Sequence, residues 1–485
     1  MGLSDCGDSC NFLCVRSERT NITIQMDAKG NLSAIINHNH NVDRIKPFYN
    51  AEEAIYYFFF PSYVDEQRVY LGDALDAKEN IYVGGEQVYS VLAAENCYQM
   101  VFLCSNNLPT LFIDIDDQSM ERIHADKENQ DAGMLTVYSS LGEREYDGKF
   151  DKLSGRGNST WARNKKSYNL SLHKEAPLCG LDKGKKWVLM SLVFEDTKMN
   201  NMIALDFAHE LGMKYTSQAT WVDLYINGDY RGIYLLLETV TCADGRVEIN
   251  KNKDSFLIEK EIPERCDEAE QIFSTQRGKT FVLHYPKSAS NEEIRSVEER
   301  ISQIESGVYD GTPDFENQMD MDSFASYYLV DEITNQIDFE LSSMYFYQKS
   351  ANGKLYAGPI WDYDNSFGAY YPDYTASVLE HENMDLEEYK QDYLHWYGLL
   401  MQNEQFESYV REKYEICQPY FSELLQSKID NWAEYIQQAV YMDSVRWRNL
   451  ESETRYGDFE QDVRYLKFYL GNRLASINER WGVAS

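Results

Sequence analysis

The 485-residue sequence has no Cys-x-x-Cys pair, although nine cysteines stand at positions 6, 10, 14, 97, 104, 179, 242, 266 and 417. An odd, scattered set of this kind argues against a disulfide scaffold without fixing the redox compartment. Cys6, Cys10 and Cys14 recur at four-residue spacing and could line one helical face, a weak metal signal without a matching His or Cys cluster. No stretch approaches the ~20 apolar residues that a membrane span needs. The first twenty residues have neither a basic n-region nor a long apolar h-region, so they do not read as a signal peptide. Internal repeats and low-complexity linkers are also missing. Basic charge is scarce: 46 Lys and Arg against 80 Asp and Glu leave a formal charge of −34. That field repels nucleic acid and anionic membranes, tolerates basic partners, and obliges any anionic substrate to find a local basic pocket.

What is present is a folded globular chain, 43% hydrophobic and 14% aromatic, with 37 tyrosines suited to half-polar surfaces and clefts. Its length suits two to four domains. Residues 1–17 read as a tail. Residues 18–105 read as a small β-sandwich: "NITIQMDAKGNLSAIINH" alternates about Lys29-Gly30 like a hairpin, and "AIYYFFFPSYV", "NIYVGG" and "CYQMVFLC" are further strands. The aromatic run at 56–60 fits a sandwich core better than a binding face. After Pro109, strand signals continue through "GMLTVYSS", "YDGKFDKLSG" and "KKSYNLSLHK". A helix follows at "MNNMIALDFAHELG", stopped by Gly212, and then a hairpin turning at Asn227-Gly228. Beyond residue 290 the pattern is mainly helical. It ends in an amphipathic stripe of Phe459, Val463, Leu466, Leu470, Leu474, Ile477 and Trp481. "SASNEEIRSVEERISQIES" reads as a solvated helix rather than an acidic tail.

Two constellations carry chemistry. In "SGRGNSTWARNKKSYNLSL", Gly155 and Gly157 permit close backbone approach, Ser159 and Thr160 offer hydroxyls, and Arg156, Lys165 and Lys166 add positive charge. Backbone N–H groups and cations are what a polyphosphate needs. The plain alternative is a hairpin turn with exposed lysines. The second runs from Asp331 to Gly368, where a helix end, a polar loop, a strand, the turn Asn352-Gly353 and a returning strand lead to "WDYD". A hairpin returns its ends to one place, so Asp338 at its entrance should lie near Asp362 and Asp364 at its exit. Three carboxylates around one spot repel unless a cation sits among them, and hard oxygen ligands suit Mg²⁺ or Mn²⁺. Alternatively, Asp338 caps a helix and the other two cap a turn. A β-rich lobe with a basic glycine turn, then helix, loop, hairpin and metal-binding aspartate, is the plan of a protein kinase. The His-Arg-Asp, Asp-Phe-Gly and Ala-Pro-Glu sentences are absent, however.

"GRGNSTW", "KKSYNLSL", "KKWVLM", "YINGDYRGIYLLLE", "PKS" and "GPIWDYDNSFG" occur in an order that resembles the CotH family, atypical kinases first named from a bacterial spore coat protein; the likeness covers roughly residues 107–485. The resemblance implies an α+β, bilobal, kinase-like fold, with a small lobe over 107–240 and a mainly helical large lobe over 241–485. The sandwich-like all-β domain precedes it. It implies transfer of the γ-phosphate of ATP to a hydroxyl, of Ser or Thr in a protein, with Mg²⁺ or Mn²⁺. Asp338 is then the catalytic base, and Asp362 and Asp364 hold the metal. Arg156, Gly157, Asn158 and Ser159 form the phosphate-covering turn, Lys166 pairs with phosphate, and Glu238 sits at the hinge beside the adenine. The family's Arg-Asn pair at the start of the small-lobe helix is Asn200-Asn201 here. A spore coat, cell-envelope or extracellular location is expected, and so is a protein acceptor rich in Lys or Arg. The alternative is a non-catalytic coat or surface protein keeping the fold as a scaffold. His173 and His209 read as packed residues rather than ligands.

Overall fold

A computed structural model describes residues 20–250, 254–266, 271–369, 371–383, 390–448 and 458–483; the tail 1–17, with Cys6, Cys10 and Cys14, lies outside them. The architecture is mixed α+β.

Residues 21–104 form two five-stranded sheets. In the first, Asn21–Met26 pairs antiparallel with Leu32–His38 and parallel with Arg68–Leu71. The reversal between the first two strands is held by the Asp27 carboxylate, which accepts the N–H groups of Lys29 and Asn31, with Gly30 at φ +86°. In the second sheet, Ile55–Phe60 runs parallel to Asn96–Cys104. Phe58, Phe59 and Phe60 are buried with Ile22, Ile24 and Phe102 in one core, so the aromatic run is structural. That core continues into Phe112, Tyr138, Tyr225 and Tyr230 of the next sheet and into Met442 and Val445 of a C-terminal helix. The two sheets are therefore seated on the rest of the protein.

The next seven strands close into a barrel in the order Thr110–Asp114, Gln130–Tyr138, Arg144–Arg156, Ser167–Leu178, Leu181–Met190, Asp229–Glu238 and Ala219–Ile226. Closure comes from parallel pairing of the first of these with the last. Alternating residues such as Leu111, Leu135, Leu153, Leu170, Trp187, Val222 and Leu236 fill its interior, as a two-residue side-chain period requires. Asn227 and Gly228 make the tight reversal with φ of +50° and +78°, the conformation that Asn-Gly favours.

Past residue 250 a five-stranded sheet contains Ile272–Ser274, Thr280–Tyr285, Phe256–Lys260, Met344–Gln348 and Leu355–Ala357, in that order. Helices pack around it. Asn291–Tyr309 opens with a full capping box between Ser290 and Glu293; Val297, Ile301, Ile304 and Val308 face inward, so this helix is half core rather than wholly solvated. Phe459–Trp481 follows the expected stripe and ends at Gly482, φ +65°. Among the described residues no helix is long and apolar enough to cross a membrane. His173 and His209 depart from expectation: both are exposed, His173 bonding Asp151 at the surface.

The helix Ile429–Trp447 is tied to the barrel by a buried ion pair. Lys165 Nζ lies 2.6 Å from Asp443 Oδ1 and donates to the Ile233 carbonyl at 2.7 Å. The Asp443 carboxylate also accepts the Ile233 N–H at 3.2 Å. Gly232 makes room for it, because a Cβ there would run into Asp443 Oδ1.

Candidate active site

The helix Met321–Thr334 ends at Asn335, whose left-handed backbone (φ +54°) turns the chain into the loop carrying Asp338. The Asp338 carbonyl accepts the N–H groups of Leu341 and Ser342, coiling that loop before strand Met344–Gln348 begins. The chain turns at Asn352, returns along Leu355–Ala357, and delivers Asp362 and Asp364 beside Asp338 at one cleft. Two side-chain bonds fix the second half. Gln336 donates through its side chain to the Asp362 carbonyl. Tyr363, between the two aspartates, points inward and donates its hydroxyl to Asp331 at 2.7 Å. Asp362 itself has φ +66°, a conformation Asp tolerates better than most residues and one that recurs where a side chain is aimed for function.

All three carboxyls titrate above the ordinary range. Desolvation is the main cause for each. The charge of Asp338 adds to it at Asp362, while Arg156 opposes it. Asp364 is 7% exposed, and its neighbours Asp362, Glu195 and Asp338 are acidic. Desolvated hard oxygen donors crowded together suit a divalent cation. Among the described residues no three His, Cys, Asp or Glu side chains cluster closely enough to cage a metal alone. Two carboxylates sharing an ion with substrate phosphates is the usual Mg²⁺ arrangement, and the residues fit that arrangement rather than an all-protein cage.

The opposite wall is the glycine turn. Gly157 takes φ +88°, and a Cβ on it would strike Thr160 Oγ1; a Cβ on Gly155 would reach the Trp161 ring at 2.6 Å. Those two glycines let the turn fold down on itself, so that Asn158, Ser159 and Thr160 line the cleft with Arg156. The Arg156 guanidinium bonds Asn169 Oδ1 at 3.0 Å and lies over the Trp361 ring at 4.7 Å. The cleft encloses about 280 Å³. A second chamber of about 370 Å³ adjoins it, sharing Arg156 and lined by Trp187, Thr239, Val240, Thr241, Tyr345 and Trp361.

Asp338, Asp362, Asp364, Arg156, Asn158 and Ser159 thus come together, with Gly157 shaping the turn. Lys166 and Glu238 do not. The Lys166 ammonium is turned onto the Trp161 carbonyl at 2.5 Å and over its ring at 4.8 Å. Glu238 is buried against Arg246 at 2.7 Å and accepts the Gln218 N–H, and the residues that follow it, Thr239 to Thr241, line the second chamber.

Other site residues carry no local sequence signal. Arg265 and Glu261 enter the cleft from the segment after strand Phe256–Lys260. The start of helix Asn200–Glu210 clamps the aspartate segment. Asn201 donates to Glu195 Oε1 at 2.5 Å and accepts the Tyr363 N–H at 3.0 Å, while Asn200 donates to the carbonyls of Asp364 and Ser366. The Asn-Asn pair therefore holds the loop by amide hydrogen bonds.

No curated protein matches the chain. Residues 153–477, most of the chain and every residue lining the cleft, match the family described as CotH kinase protein. The chain belongs to the CotH kinase protein family.

Proposed function

We propose that the protein is an ATP-dependent phosphotransferase that passes the γ-phosphoryl group to a hydroxyl of Ser or Thr in a protein, with Mg²⁺ or Mn²⁺. The observation that carries this reading is the convergence of Asp338, Asp362 and Asp364 beneath a glycine turn. In this reading residues 107–240 are the small lobe of a kinase-like fold, 241–485 the large lobe, and 18–105 an accessory β domain. The adenine lies in the chamber bounded by Thr239, Val240, Thr241 and Trp187. The phosphates pass Arg156 into the cleft under Asn158, Ser159 and Thr160.

A divalent ion held by Asp362 and Asp364 supplies charge neutralisation to the phosphates when bound. The protein positions and removes protons. The acceptor oxygen forms a bond to the γ-phosphorus while the β,γ-bridging P–O bond breaks, its electron pair leaving on ADP. The acceptor's proton passes to the Asp338 carboxylate, whose basicity is raised by desolvation. The overall charge of −34 favours an acceptor segment rich in Lys or Arg. A spore-coat or cell-envelope location belongs to the same reading and rests on the resemblance.

Thermal melting with and without Mg²⁺ and ATP tests the proposal. A ligand at 100 times its Kd adds about 2.7 kcal/mol to the folded state. An upward shift that disappears in Asp362→Asn is expected. No shift in the wild type, with no label transfer to a basic protein, would favour a scaffold.

A further inference from the structure

A cleft built to move a phosphoryl group needs positive charge where negative charge accumulates in transit, as well as on the nucleotide's resting phosphates. Arg156 comes from the glycine-turn side, and its guanidinium is already fixed between Asn169 and Trp361. The floor supplies another. Arg265 ends the short turn Pro263–Arg265, directly after the strand paired with Met344–Gln348, and so stands beside the loop that carries Asp338. Its Nη1 donates to Ser342 Oγ at 2.9 Å and lies 3.9 Å from Asp338 Oδ1.

Those distances separate this pair from the structural ion pairs elsewhere in the chain. Lys165–Asp443 and Arg246–Glu238 close to 2.6 and 2.7 Å and are buried. Arg265 stays 3.9 Å from its carboxylate, its side chain is 38% exposed, and it lines the cleft. A guanidinium has five N–H donors in a planar fork, and Nη1 is the only one with a partner among the described residues. The anchor at Ser342 holds the guanidinium at the cleft that Asp338 and Asp362 also line.

We propose that Arg265 is a further catalytic residue, its guanidinium fork binding the equatorial oxygens of the γ-phosphoryl group as that group passes from the nucleotide to the acceptor. The inference rests on the phosphotransferase reading. The bonds made and broken are those given above: the acceptor O–P bond forms, the β,γ-bridging P–O bond breaks with its electrons on ADP, and the acceptor proton goes to Asp338. Arg265 exchanges no proton. Arg156 lines the same cleft from the glycine turn, so the group in flight meets an arginine from each of two segments.

The test compares wild type, Arg265→Ala, Arg265→Lys and Ser342→Ala, using γ-labelled ATP with Mg²⁺ and a Lys/Arg-rich acceptor protein. Label transferred to protein and to water is counted, and melting is followed with Mg²⁺ and ADP. Arginines placed on a transferring phosphoryl group contribute roughly 10³–10⁵-fold. Arg265→Ala is therefore expected to lose about 10³-fold or more in kcat, keep the ADP-induced melting shift, and regain part of its rate with added guanidinium. Arg265→Lys, which keeps the charge without the fork, falls between. Ser342→Ala, which removes the anchor alone, loses less than about tenfold.

The proposal is overturned if Arg265→Ala retains a tenth of the wild-type rate. It is also overturned if Ser342→Ala falls as far as Arg265→Ala, since the arginine would then only hold the Asp338 loop. A wild type without transfer or nucleotide-induced shift overturns the phosphotransferase reading and this inference with it; failure in the variants alone overturns only this inference.

Discussion

Lys165 is buried in an ion pair with Asp443, and its removal should be felt as instability. In Lys165→Met the Asp443 carboxylate stays at 5% side-chain exposure with its cation gone. Its remaining hydrogen bond is the 3.2 Å contact from the Ile233 N–H. Stripping one partner from a buried pair costs about 3–5 kcal/mol, because the other charge remains desolvated. The lost Nζ bond to the Ile233 carbonyl, 2.7 Å long, adds about 1 kcal/mol, offset by the good fit of a Met side chain. A loss of about 4 kcal/mol is expected from urea unfolding followed by tryptophan fluorescence. Lys165→Met/Asp443→Asn should be less damaged than Lys165→Met alone, since the stranded charge is gone. A loss under about 1 kcal/mol, or a double variant at least as unstable as the sum of the singles, would refute the argument. A lysine that served the phosphates would behave oppositely, leaving stability intact and abolishing the melting shift with Mg²⁺ and ATP.

Asn201→Ala removes the bond to the Tyr363 N–H and the one to Glu195. Weaker Mg²⁺ dependence of nucleotide binding is expected, with a stability loss of about 1–3 kcal/mol; unchanged metal titration would show that the clamp does not position the aspartates. Gly157→Ala forces a side chain into Thr160 at φ +88°, so the nucleotide melting shift should shrink while urea stability falls by about 1–3 kcal/mol. An undiminished nucleotide shift would contradict the role given to the turn.

The hairpins were legible because their reversals are written in adjacent residues. Asn227, Gly228 and Asn352 supply the left-handed conformations that the tight turns use. The same logic brought Asp338 to Asp362 and Asp364, since a hairpin's ends must meet. Barrel closure was not legible: it depends on Thr110–Asp114 pairing in parallel with Ala219–Ile226, more than a hundred residues away. The choice between Lys165 and Lys166 was hidden for a simpler reason. Both stand directly before strand Ser167–Leu178, and nothing local says which of the two turns inward. Arg265 and Glu261 reach the cleft only because strand Phe256–Lys260 pairs with Met344–Gln348. The helix Asp117–Ala125 did carry a signal, the Asp116 carboxylate capping Ser119, but only Ser119, Met120 and Ile123 are buried, so its apolar stripe is faint.

The phosphotransferase reading stands on the three carboxylates of the cleft. The most direct measurement is label transfer from γ-labelled ATP to a basic acceptor protein in Mg²⁺ or Mn²⁺ by wild type, Asp338→Asn and Asp362→Asn. Transfer by the wild type, lost by at least about 10²-fold in both variants, with nucleotide binding kept in Asp338→Asn, is the expected result. Equal transfer by all three proteins, or none by the wild type, would contradict the account.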